Sequence, residues 1–384
     1  MRIGFDATSA ARQGGGIGRY VRELLRALAA ADETNVYRIF VASPPPLPYP
    51  LPPLPARSSV FHLPIHDKWL ARVWHRARLP IPIQLALGPL DLYHSPDFTL
   101  PPTLPGTPTL LTVHDLSFVR DPDSAAPGLK RYLDAVVPRS VRRATRVLAD
   151  SEATRADLME LYRTPPEQIT VLYSGVDAAF QPIADPAALA AVRARCGLGD
   201  SAFILSVGTL QPRKNYVRLI RAFAQSWFID HCSLVIVGSK GWLYDSIFAE
   251  VTRLGLEGRV LFPGFVADDD LPALYSAARA FAYPSLYEGF GLPVLEAMAC
   301  GTPVVTSTAS CLPEVAGGAA LLADPRDVDG LAAALRRVCE DDNLRRTLIA
   351  QGRARARQFT WGRAARQLLD IYRTMVLPPA QPRV

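Results

Sequence analysis

The sequence lacks the features of a membrane-spanning or disulfide-stabilised protein. It has no uninterrupted run of 18 apolar residues, so no segment is expected to cross a bilayer. Its first residues, Met1 to Ala7, are typical of a strand and lack the apolar stretch and cleavage site of a signal peptide. The five cysteines form no CxxC pair and no cluster with histidine, which indicates reduced, mostly structural thiols. These absences predict a cytoplasmic protein.

Charged residues are few as well, at 20% of the chain against 49% hydrophobic residues. This balance excludes intrinsic disorder, and 384 residues predict two domains of roughly 150–200 residues each. The net charge of +6 suits an anionic ligand or an anionic membrane surface. The cations are mostly arginines scattered through helical stretches without an aromatic-interleaved patch, so nucleic acid is not an expected partner.

Short β-rich runs alternate with amphipathic helical stretches along the whole chain. The first set of runs is Arg2–Ala7, Val36–Ala42, Val60–Ile65, Asp91–His94, Leu110–His114, Val147–Asp150 and Ile169–Leu172. The second set is Phe203–Val207, Leu234–Val237, Val260–Phe262, Ala280–Tyr283, Pro303–Thr306 and Ala320–Leu322. Apolar strands that alternate with helices predict parallel sheets covered on both faces, here in two doubly wound α/β domains.

The two domains are expected to span residues 1–182 and 183–361, because residues 180–186 break the periodicity. A strongly amphipathic helix, Thr360–Met375, follows with no strand after it, and residues 362–384 are expected to pack back on the N-terminal domain. Ligands of open α/β sheets bind outside the carboxyl ends of the strands. The active site is therefore expected in a cleft between the domains.

A glycine-rich stretch, Gln13–Tyr20, follows the first predicted strand and opens a helix. Glycines let backbone N–H groups approach an anion, and the positive end of the helix dipole adds to this. The spacing is not GxGxxG, and no acidic residue follows a second strand as a dinucleotide site requires. Both a ligand contact and a tight turn without a ligand are consistent with this stretch.

A cationic pair, Arg213 and Lys214, follows the first strand of the second domain within GTLQPRKN. A guanidinium can fork onto two phosphate oxygens, while an ammonium acts as a mobile point charge. A solvated charge pair is the alternative. The position at a strand's carboxyl end favours phosphate binding.

Two glutamates flank a loop that leads into a short helix, within SLYEGFGLPVLEAMACG. Pro293 suits the first turn of this helix and Gly301 its end. Glu288 lies in the loop, where its carboxylate can reach a ligand. Glu296 lies about one turn into the helix among apolar residues, where a carboxylate needs a partner. The free N–H groups of the first turn are available to an anion.

Two further stretches carry acidic or basic groups at strand or helix ends. His114 and Asp115 occur where a predicted strand ends, and such a pair is more often structural than functional. Asp268–Asp270 resembles a metal-binding run but directly precedes a helix over Leu271–Ala278. Acidic residues at a helix start cap its amides, so capping is predicted and no metal is expected.

Together these stretches resemble a retaining glycosyltransferase of the GT-B class, family 4. The most specific part is the Glu-x7-Glu module from Glu288 to Glu296; GTLQPRKN, GGGIGRY and SCLPEVAGGAALLADP occur in the expected order around it. HDLSF and the overall arrangement are most similar to bacterial mannosyltransferases of surface polysaccharide synthesis. The resemblance implies a nucleotide-sugar donor, with GDP-mannose favoured, a saccharide or lipid-linked acceptor bound by the N-terminal domain, and no cofactor.

The resemblance also implies roles for individual residues. Arg213 and Lys214 would hold the donor diphosphate, and Glu288 would contact hydroxyls of the transferred sugar. The amides of Phe290, Gly291 and Leu292 would lie near the sugar and the β-phosphate, while Glu296 would accept hydrogen bonds from the ribose. Gly16 and Gly18 would line the opposite side of the cleft, and His114 would bond a hydroxyl of the donor sugar.

Alternatives remain open for both the reaction and the location. A transferase using a UDP-sugar is the nearest alternative, followed by a GT-B sugar-nucleotide epimerase and a non-catalytic binder. Lys68–Leu90 combines two tryptophans with basic and apolar residues, which is typical of an interfacial helix. A helix packed on its own sheet is an equally good interpretation. Interfacial contact would place the protein peripherally on the inner face of the plasma membrane.

Overall fold

The computed structural model describes residues 1–225 and 232–376, which form two compact units. The N-terminal unit comprises Met1–Leu116, Arg131–Gly175 and the described part of Thr360–Val384. The C-terminal unit comprises Ser117–Lys130 and Val176–Phe359. The main boundary between the units thus lies at Val176, seven residues before the predicted start of the second domain at residue 183. The earlier segment Ser117–Lys130 also groups with the C-terminal unit. Residues 377–384 of the predicted tail lie outside the described residues.

The helices follow the strands as the alternation predicts. In chain order they are α1 (Thr8–Arg12), α2 (Gly16–Ala31), α3 (Asp67–Leu70), α4 (Gln84–Leu87), α5 (Ser117–Arg120), α6 (Pro127–Arg143), α7 (Glu152–Tyr162), α8 (Pro186–Arg195), α9 (Tyr216–Ala224), α10 (Asp245–Leu254), α11 (Leu271–Ala277), α12 (Leu292–Ala299), α13 (Leu312–Ala316), α14 (Val328–Glu340), α15 (Asp342–Ala356) and α16 (Trp361–Val376). The predicted C-terminal helix is therefore present as α16.

The sheet of the N-terminal unit has seven strands, all parallel to their neighbours. The strands are β1 (Arg2–Asp6), β2 (Val36–Ala42), β3 (Ser58–Leu63), β4 (Leu92–Ser95), β5 (Thr109–Val113), β6 (Arg146–Ala149) and β7 (Ile169–Val171). Their order is β3-β2-β1-β4-β5-β6-β7, so the order reverses between β1 and β4. That reversal opens a crevice at the carboxyl ends of the strands.

The sheet of the C-terminal unit has six described strands, again parallel throughout. The strands are β8 (Ala202–Val207), β9 (Cys232–Val237), β10 (Val260–Gly264), β11 (Ala280–Tyr283), β12 (Val304–Ser307) and β13 (Leu321–Ala323). Their order is β10-β9-β8-β11-β12-β13, with the reversal between β8 and β11. The predicted pair of doubly wound α/β domains is confirmed, and every predicted strand position carries a strand.

Helix α16 belongs to the core of the N-terminal unit. Its buried face includes Leu368 and Tyr372, which join the cluster formed by β1 and α2. The hydroxyl of Tyr372 lies 2.7 Å from Nδ1 of the buried His94 in β4. Full burial of one such apolar side chain contributes roughly 1.5–3 kcal/mol. The amphipathic pattern of this last helix is therefore explained by packing within its own unit.

Two sequence-based interpretations of secondary structure were wrong. Residues 68–90 do not form one interfacial helix, because α3 passes into a π-helical turn at Ala71–Arg76 and regular structure is lost until α4. Pro80 and Pro82 lack the N–H that a continuing helix needs. Asp270 immediately precedes α11 but makes no side-chain cap, since its carboxylate accepts from Arg195 at 2.6 and 3.0 Å instead.

Candidate active site

The cationic pair of the C-terminal unit lies on a short loop after β8. Residues Pro212–Lys214 form a single 3₁₀ turn, and Asn215 ends it in the left-handed conformation with φ 63°. Asparagine tolerates this region better than other non-glycine residues. Its side-chain amide donates to the carbonyls of Pro284 and Pro325 at 2.9 and 2.6 Å. These bonds fix the loop to the segment that follows β11.

The structure brings Arg213, Lys214 and Glu288 into one buried cluster. Arg213 Nη1 lies 2.6 Å from Glu288 Oε2, and Lys214 Nζ lies 2.7 Å from Glu288 Oε1. Lys214 also donates to the hydroxyl of Tyr283 at 2.5 Å, and Arg213 donates to the carbonyl of Tyr287 at 2.6 Å. The three charged side chains are at most 16% exposed. Two segments predicted to face the donor, the Arg213–Lys214 pair and the Glu288 loop, therefore meet directly.

Electrostatics keeps this cluster ionised. Burial by itself would raise the pKa of Glu288, but Arg213 and then Lys214 outweigh it and lower the pKa to about 2. Glu288 is therefore a carboxylate at neutral pH, and the cluster carries two cations against one anion. The excess positive charge in a low-dielectric setting favours an anionic ligand.

The start of α12 adds backbone donors to this site. Gly291 has φ 100°, a conformation that glycine adopts without strain, and a Cβ there would lie 2.8 Å from Leu312 Cδ2. The amides of Gly291 and Leu292 donate to no described residue, as expected of the first groups of a helix. Phe290 is buried beside them. The three residues predicted to contact the sugar and β-phosphate thus form the entry to α12.

Glu296 lies on α12 and has the partner that its burial requires. The residue is 2% exposed, and Tyr275 donates its hydroxyl to Oε2 at 3.0 Å. The predicted need of this carboxylate for a partner is met within the unit. Tyr275 lies on α11, some twenty residues earlier, and nothing in the local sequence pattern identified it.

The backbone of the Glu288 loop is held by two residues that sequence reasoning did not single out. Ser310 Oγ accepts from the amide of Glu288 at 2.9 Å and donates to its carbonyl at 2.6 Å. Cys311 donates its thiol to the carbonyls of Glu288 and Phe290 at 3.2 and 3.1 Å. Both belong to the SCLPEV run, which was noted only as a family feature. They fix the loop geometry on which the carboxylate depends.

The N-terminal unit carries a different cluster around His114, just after β5. Nδ1 of His114 lies 2.8 Å from Asp150 Oδ2, and Nε2 donates to the carbonyl of Pro96 at 3.0 Å. Pro96 and Asp150 follow β4 and β6, so three neighbouring strand ends converge. The partner of His114 is therefore Asp150, and not the adjacent Asp115. Both ring nitrogens are engaged in this arrangement.

Burial would lower the pKa of His114, but Asp150, followed by Asp97, reverses this and raises the pKa to about 9. A charged imidazolium agrees with the geometry, since the carbonyl of Pro96 can only accept. Asp150 and Asp97 escaped sequence analysis, although Asp150 lies directly after β6 and Asp97 two residues after β4. Polar residues at that position were the available signal.

The glycine-rich stretch forms the turn into α2. Gly16 is exposed with φ 43°, and a Cβ on it would meet open space. Gly18 is buried, and a Cβ on it would lie 2.0 Å from the carbonyl oxygen of Gln13. Gly18 is thus required by close packing, whereas Gly16 is open to approach. Arg22, which sequence reasoning missed, donates to the carbonyls of Gln13 and Gly14 at 2.7 and 2.9 Å and holds this turn.

No group of three or more histidine, cysteine, aspartate or glutamate side chains is arranged to hold a metal ion in the described part of the chain. Within residues 1–225 and 232–376, no helix has the length and apolar character needed to traverse a bilayer. The five cysteines are free thiols.

Two doubly wound units, one of them bearing a buried cationic pair beside the start of a helix, define a glycosyltransferase of the GT-B class. Residues 14–180 match glycosyltransferase family 4, and residues 193–355 match glycosyl transferases group 1. The O-antigen chain mannosyltransferase B of Escherichia coli is 34% identical over 372 residues, which cover 94% of this chain and 96% of the relative. The chain belongs to glycosyltransferase family 4.

Solved structures agree with this membership. Sucrose-phosphate synthase from Thermosynechococcus elongatus is similar with a TM-score of 0.76 at 26% identity, over 97% of this chain and 98% of that one. HepE from Anabaena, solved with UDP and glucose, is similar with a TM-score of 0.74 at 22% identity, over 97% and 99% of the two chains. The predicted GT-B fold and the prediction of a hexosyltransferase are confirmed.

Proposed function

We propose that this enzyme transfers mannose from GDP-mannose to a saccharide or lipid-linked saccharide acceptor, with retention of configuration, in polysaccharide or glycolipid synthesis. The observation that carries the proposal is the buried Arg213–Lys214–Glu288 cluster beside the start of α12. The choice of mannose is supported by the 34% identity, over nearly the whole chain, to an O-antigen chain mannosyltransferase.

The C-terminal unit is proposed to bind the donor. A nucleoside diphosphate leaves readily once its developing charge is matched, and Arg213, Lys214 and the amides of Gly291 and Leu292 are the groups suited to match it. Glu288 then contacts hydroxyls of the transferred sugar. Glu296 accepts hydrogen bonds from the ribose hydroxyls. Its buried carboxylate already accepts a hydrogen bond from Tyr275, so it is positioned before the ribose binds.

Retention is proposed to occur without a covalent glycosyl-enzyme. The transition state at the sugar carbon resembles an oxocarbenium ion. Both carboxylate oxygens of Glu288 are ion-paired, one to Arg213 and one to Lys214, which weakens them as nucleophiles. The acceptor hydroxyl therefore attacks from the face that the diphosphate leaves, and a phosphate oxygen takes its proton.

The N-terminal unit is proposed to act through His114 and the turn at Gly16 and Gly18. His114 stabilises a hydroxyl of the donor sugar, which requires it to share or release the bond to the Pro96 carbonyl. The open backbone at Gly16 suits contact with phosphates or with the acceptor. The reaction is proposed to need no metal, because the two cations of the C-terminal unit take the part that a metal takes elsewhere.

A UDP-sugar is the second candidate donor. HepE, which shares the fold, was solved in complexes with UDP, UDP and glucose, and UDP-glucose. A nucleobase that is held largely by backbone groups is identified poorly by the side chains around it. The side chains of the C-terminal unit therefore do not exclude uracil. Glucose and N-acetylglucosamine are the sugars to compare with mannose.

Donor hydrolysis in the absence of acceptor separates these donors. The purified protein is incubated with GDP-mannose, UDP-glucose or UDP-N-acetylglucosamine, and nucleoside diphosphate release is measured with and without EDTA. We expect release from GDP-mannose that EDTA leaves unchanged, and its loss in the Glu288→Gln variant. Release from a UDP-sugar but not from GDP-mannose would make that UDP-sugar the donor in place of GDP-mannose. Loss of release in EDTA would overturn the metal-independent mechanism. No release from any of the three donors would contradict the proposed function.

Peripheral contact with the inner face of the plasma membrane is proposed for the segment around α3. Trp69 is 56% exposed, and the Arg72 guanidinium lies 4.4 Å from the centre of its ring. Exposed tryptophan beside basic residues suits an anionic lipid surface. Sedimentation with vesicles of phosphatidylglycerol and phosphatidylethanolamine tests this contact, and equal recovery of wild type and Trp69→Ala would contradict it.

A further inference from the structure

A cavity of about 320 Å³ in the N-terminal unit has no part in the site described above. It lies between α6, the π-helical turn at Ala71–Arg76 and the segment after β4. None of the residues that line it belongs to the His114 cluster or to the glycine-rich turn. Its volume exceeds that of a phosphate group several times over.

Three arginines line this cavity. Arg139 and Arg143 are four residues apart on α6, so they lie on the same face of that helix, and Arg78 approaches from the segment after the π-helical turn. Like charges at this spacing on a helix repel each other. Arg78 also holds the left-handed conformation, with φ 54°, which is unfavourable for a non-glycine residue. An anionic ligand that accepts from Arg139 and Arg143 would offset their repulsion.

No acidic side chain balances these cations among the described residues that line the cavity. Arg143 donates to the carbonyls of Leu100 and Pro101 at 3.2 and 2.9 Å, which positions its guanidinium without neutralising it. Arg78 and Arg139 make no ion pair with a carboxylate in residues 1–225 and 232–376.

The remaining wall is neutral and largely apolar. Burial and then Arg143 lower the pKa of His75 to about 4, so its imidazole is uncharged at neutral pH. Trp74 donates its indole N–H to the carbonyl of Ile81 at 3.0 Å and presents its ring to the cavity. Leu79 and Ile81, which flank the lining Pro80, are 46% and 43% exposed. Arg78 and Arg143 are exposed and Arg139 is half-buried, so the three guanidiniums are open to a ligand beside an apolar surface. An amphipathic anion fits this combination.

We propose that this cavity binds a phosphate or diphosphate group, with the apolar surface favouring one that is carried on an apolar chain. Guanidinium groups fork onto phosphate oxygens in pairs, and the three arginines provide this geometry from two elements. The assignment of this phosphate or diphosphate to the acceptor rests on the proposed function, since a lipid-linked saccharide carries such a group. The anion-binding site itself does not depend on which sugar is transferred.

Binding of three small probes to the full chain tests the cavity. Farnesyl diphosphate carries charge and chain, inorganic diphosphate only the charge, and farnesol only the chain. Affinities are measured by calorimetry for wild type, for Arg78→Gln and Arg139→Gln, and for Arg142→Gln as the matched control, because Arg142 is exposed on the same helix and does not line the cavity. Lys214→Ala is included because the donor site also attracts diphosphate.

We expect farnesyl diphosphate to bind more tightly than inorganic diphosphate, and each of the two cavity variants to weaken it by roughly tenfold. Arg142→Gln should retain this binding, and Lys214→Ala should lose only the binding that occurs at the donor site. Equal affinity of both diphosphates, with the same loss in Arg139→Gln, would keep the site and assign it to a free diphosphate. Unchanged affinity in both cavity variants, or farnesol binding as tightly as its diphosphate, would overturn the proposal.

Two arrangements keep the result interpretable. Thermal unfolding midpoints of the glutamine variants are compared with wild type, so that a loss of binding is distinguished from a loss of folding. The binding measurement contains no donor sugar, so its failure leaves the donor hydrolysis result standing, and failure of donor hydrolysis leaves the anion site standing.

Discussion

The two units carry differently charged clusters at the carboxyl ends of their strands. In the C-terminal unit, the segments after β8 and β11 bring Arg213 and Lys214 against one carboxylate, Glu288. In the N-terminal unit, the segments after β4, β5 and β6 bring one cationic histidine against Asp150, with Asp97 close enough to raise its pKa. The same topology thus yields one cluster with an excess cation and one in which a cationic histidine faces two buried aspartates, whose pKa values burial raises.

This difference indicates which chemical group each cluster can receive. A diphosphate is attracted to an excess of buried positive charge, and its approach to the N-terminal cluster would be opposed by the carboxylates. Hydroxyl groups carry no charge and can donate to a carboxylate, so the N-terminal cluster suits sugar or acceptor hydroxyls. The charge balance of each unit therefore supports the proposed roles, phosphate stabilisation by the C-terminal unit and hydroxyl positioning by the N-terminal unit.

Removal of Lys214 is expected to have the largest effect on this comparison. Lys214→Ala abolishes the excess cation, and transition-state stabilisation of this kind is worth roughly 10²–10³-fold in rate. We expect transfer and donor hydrolysis to fall by at least that factor in steady-state assays. Arg346→Ala, which removes an exposed positive charge on α15, serves as the control and should retain the wild-type rate.

The double variant Lys214→Met, Glu288→Gln distinguishes a structural from a functional cluster. Removing one charge of each sign leaves the net charge of the cluster unchanged, and Arg213 keeps its hydrogen bond to the carbonyl of Tyr287. A stable but inactive double variant would support the proposed role. A Lys214→Ala variant with an unchanged rate would contradict binding of phosphate at this position.

Stability against pH should separate the two clusters next. The pKa of His114 is raised to about 9 in the folded protein, against roughly 6.5 in the unfolded chain. Its contribution to the free energy of unfolding is therefore complete below about 6.5 and is lost as the pH rises through about 9. We expect a loss on the order of 2–3 kcal/mol between these values. Glu288 has a lowered pKa of about 2 and contributes no change in that window.

Urea titrations at pH 6.5, 8 and 9.5 measure this difference. His114→Gln lacks the titrating group, so its stability should be lower at pH 6.5 and should change little up to pH 9.5. A wild-type protein whose stability follows the same flat profile would show that the imidazole is neutral in the folded state. That result would remove the charge contrast between the units.

Sequence alone predicted the architecture because it depends on periodicity. Apolar runs such as Val304–Ser307 and Phe203–Val207 are buried on both faces, and their alternation with helices leaves a parallel sheet as the simplest arrangement. The cationic pair and both glutamates were also identified, since each follows a strand or starts a helix. Their direct ion pairs were not, because pairing across 74 residues depends on how β8 and β11 align.

Other features of the site depend on contacts that no local pattern records. Asp150 replaces Asp115 as the partner of His114 because β5 and β6 are neighbours in the sheet. Ser310 fixes the Glu288 loop from the segment after β12. The run Asp268–Asp270 failed as a capping motif for a similar reason, since Arg195 from α8 competes for the carboxylate of Asp270.

Glu296 gives the smallest expected effect and the sharpest division between binding and chemistry. Its carboxylate is proposed to hold the ribose, which does not change charge during transfer, so its loss should affect ground state and transition state alike. In Glu296→Gln we expect the KM for the donor to rise roughly tenfold while kcat stays within about twofold. Initial rates over a range of donor concentrations measure both quantities.

Tyr275→Phe is the matched control for this last variant. It leaves the carboxylate in place and removes only the 3.0 Å hydrogen bond from the tyrosine hydroxyl. Because the lost hydrogen bond leaves Oε2 of Glu296 able to accept another, ribose hydroxyls should then become better partners for Glu296, and the KM should not rise as it does in Glu296→Gln. Equal increases in both variants would mean that Glu296 only supports α12, and a fall in kcat without a change in KM would move it from donor binding to the chemical step.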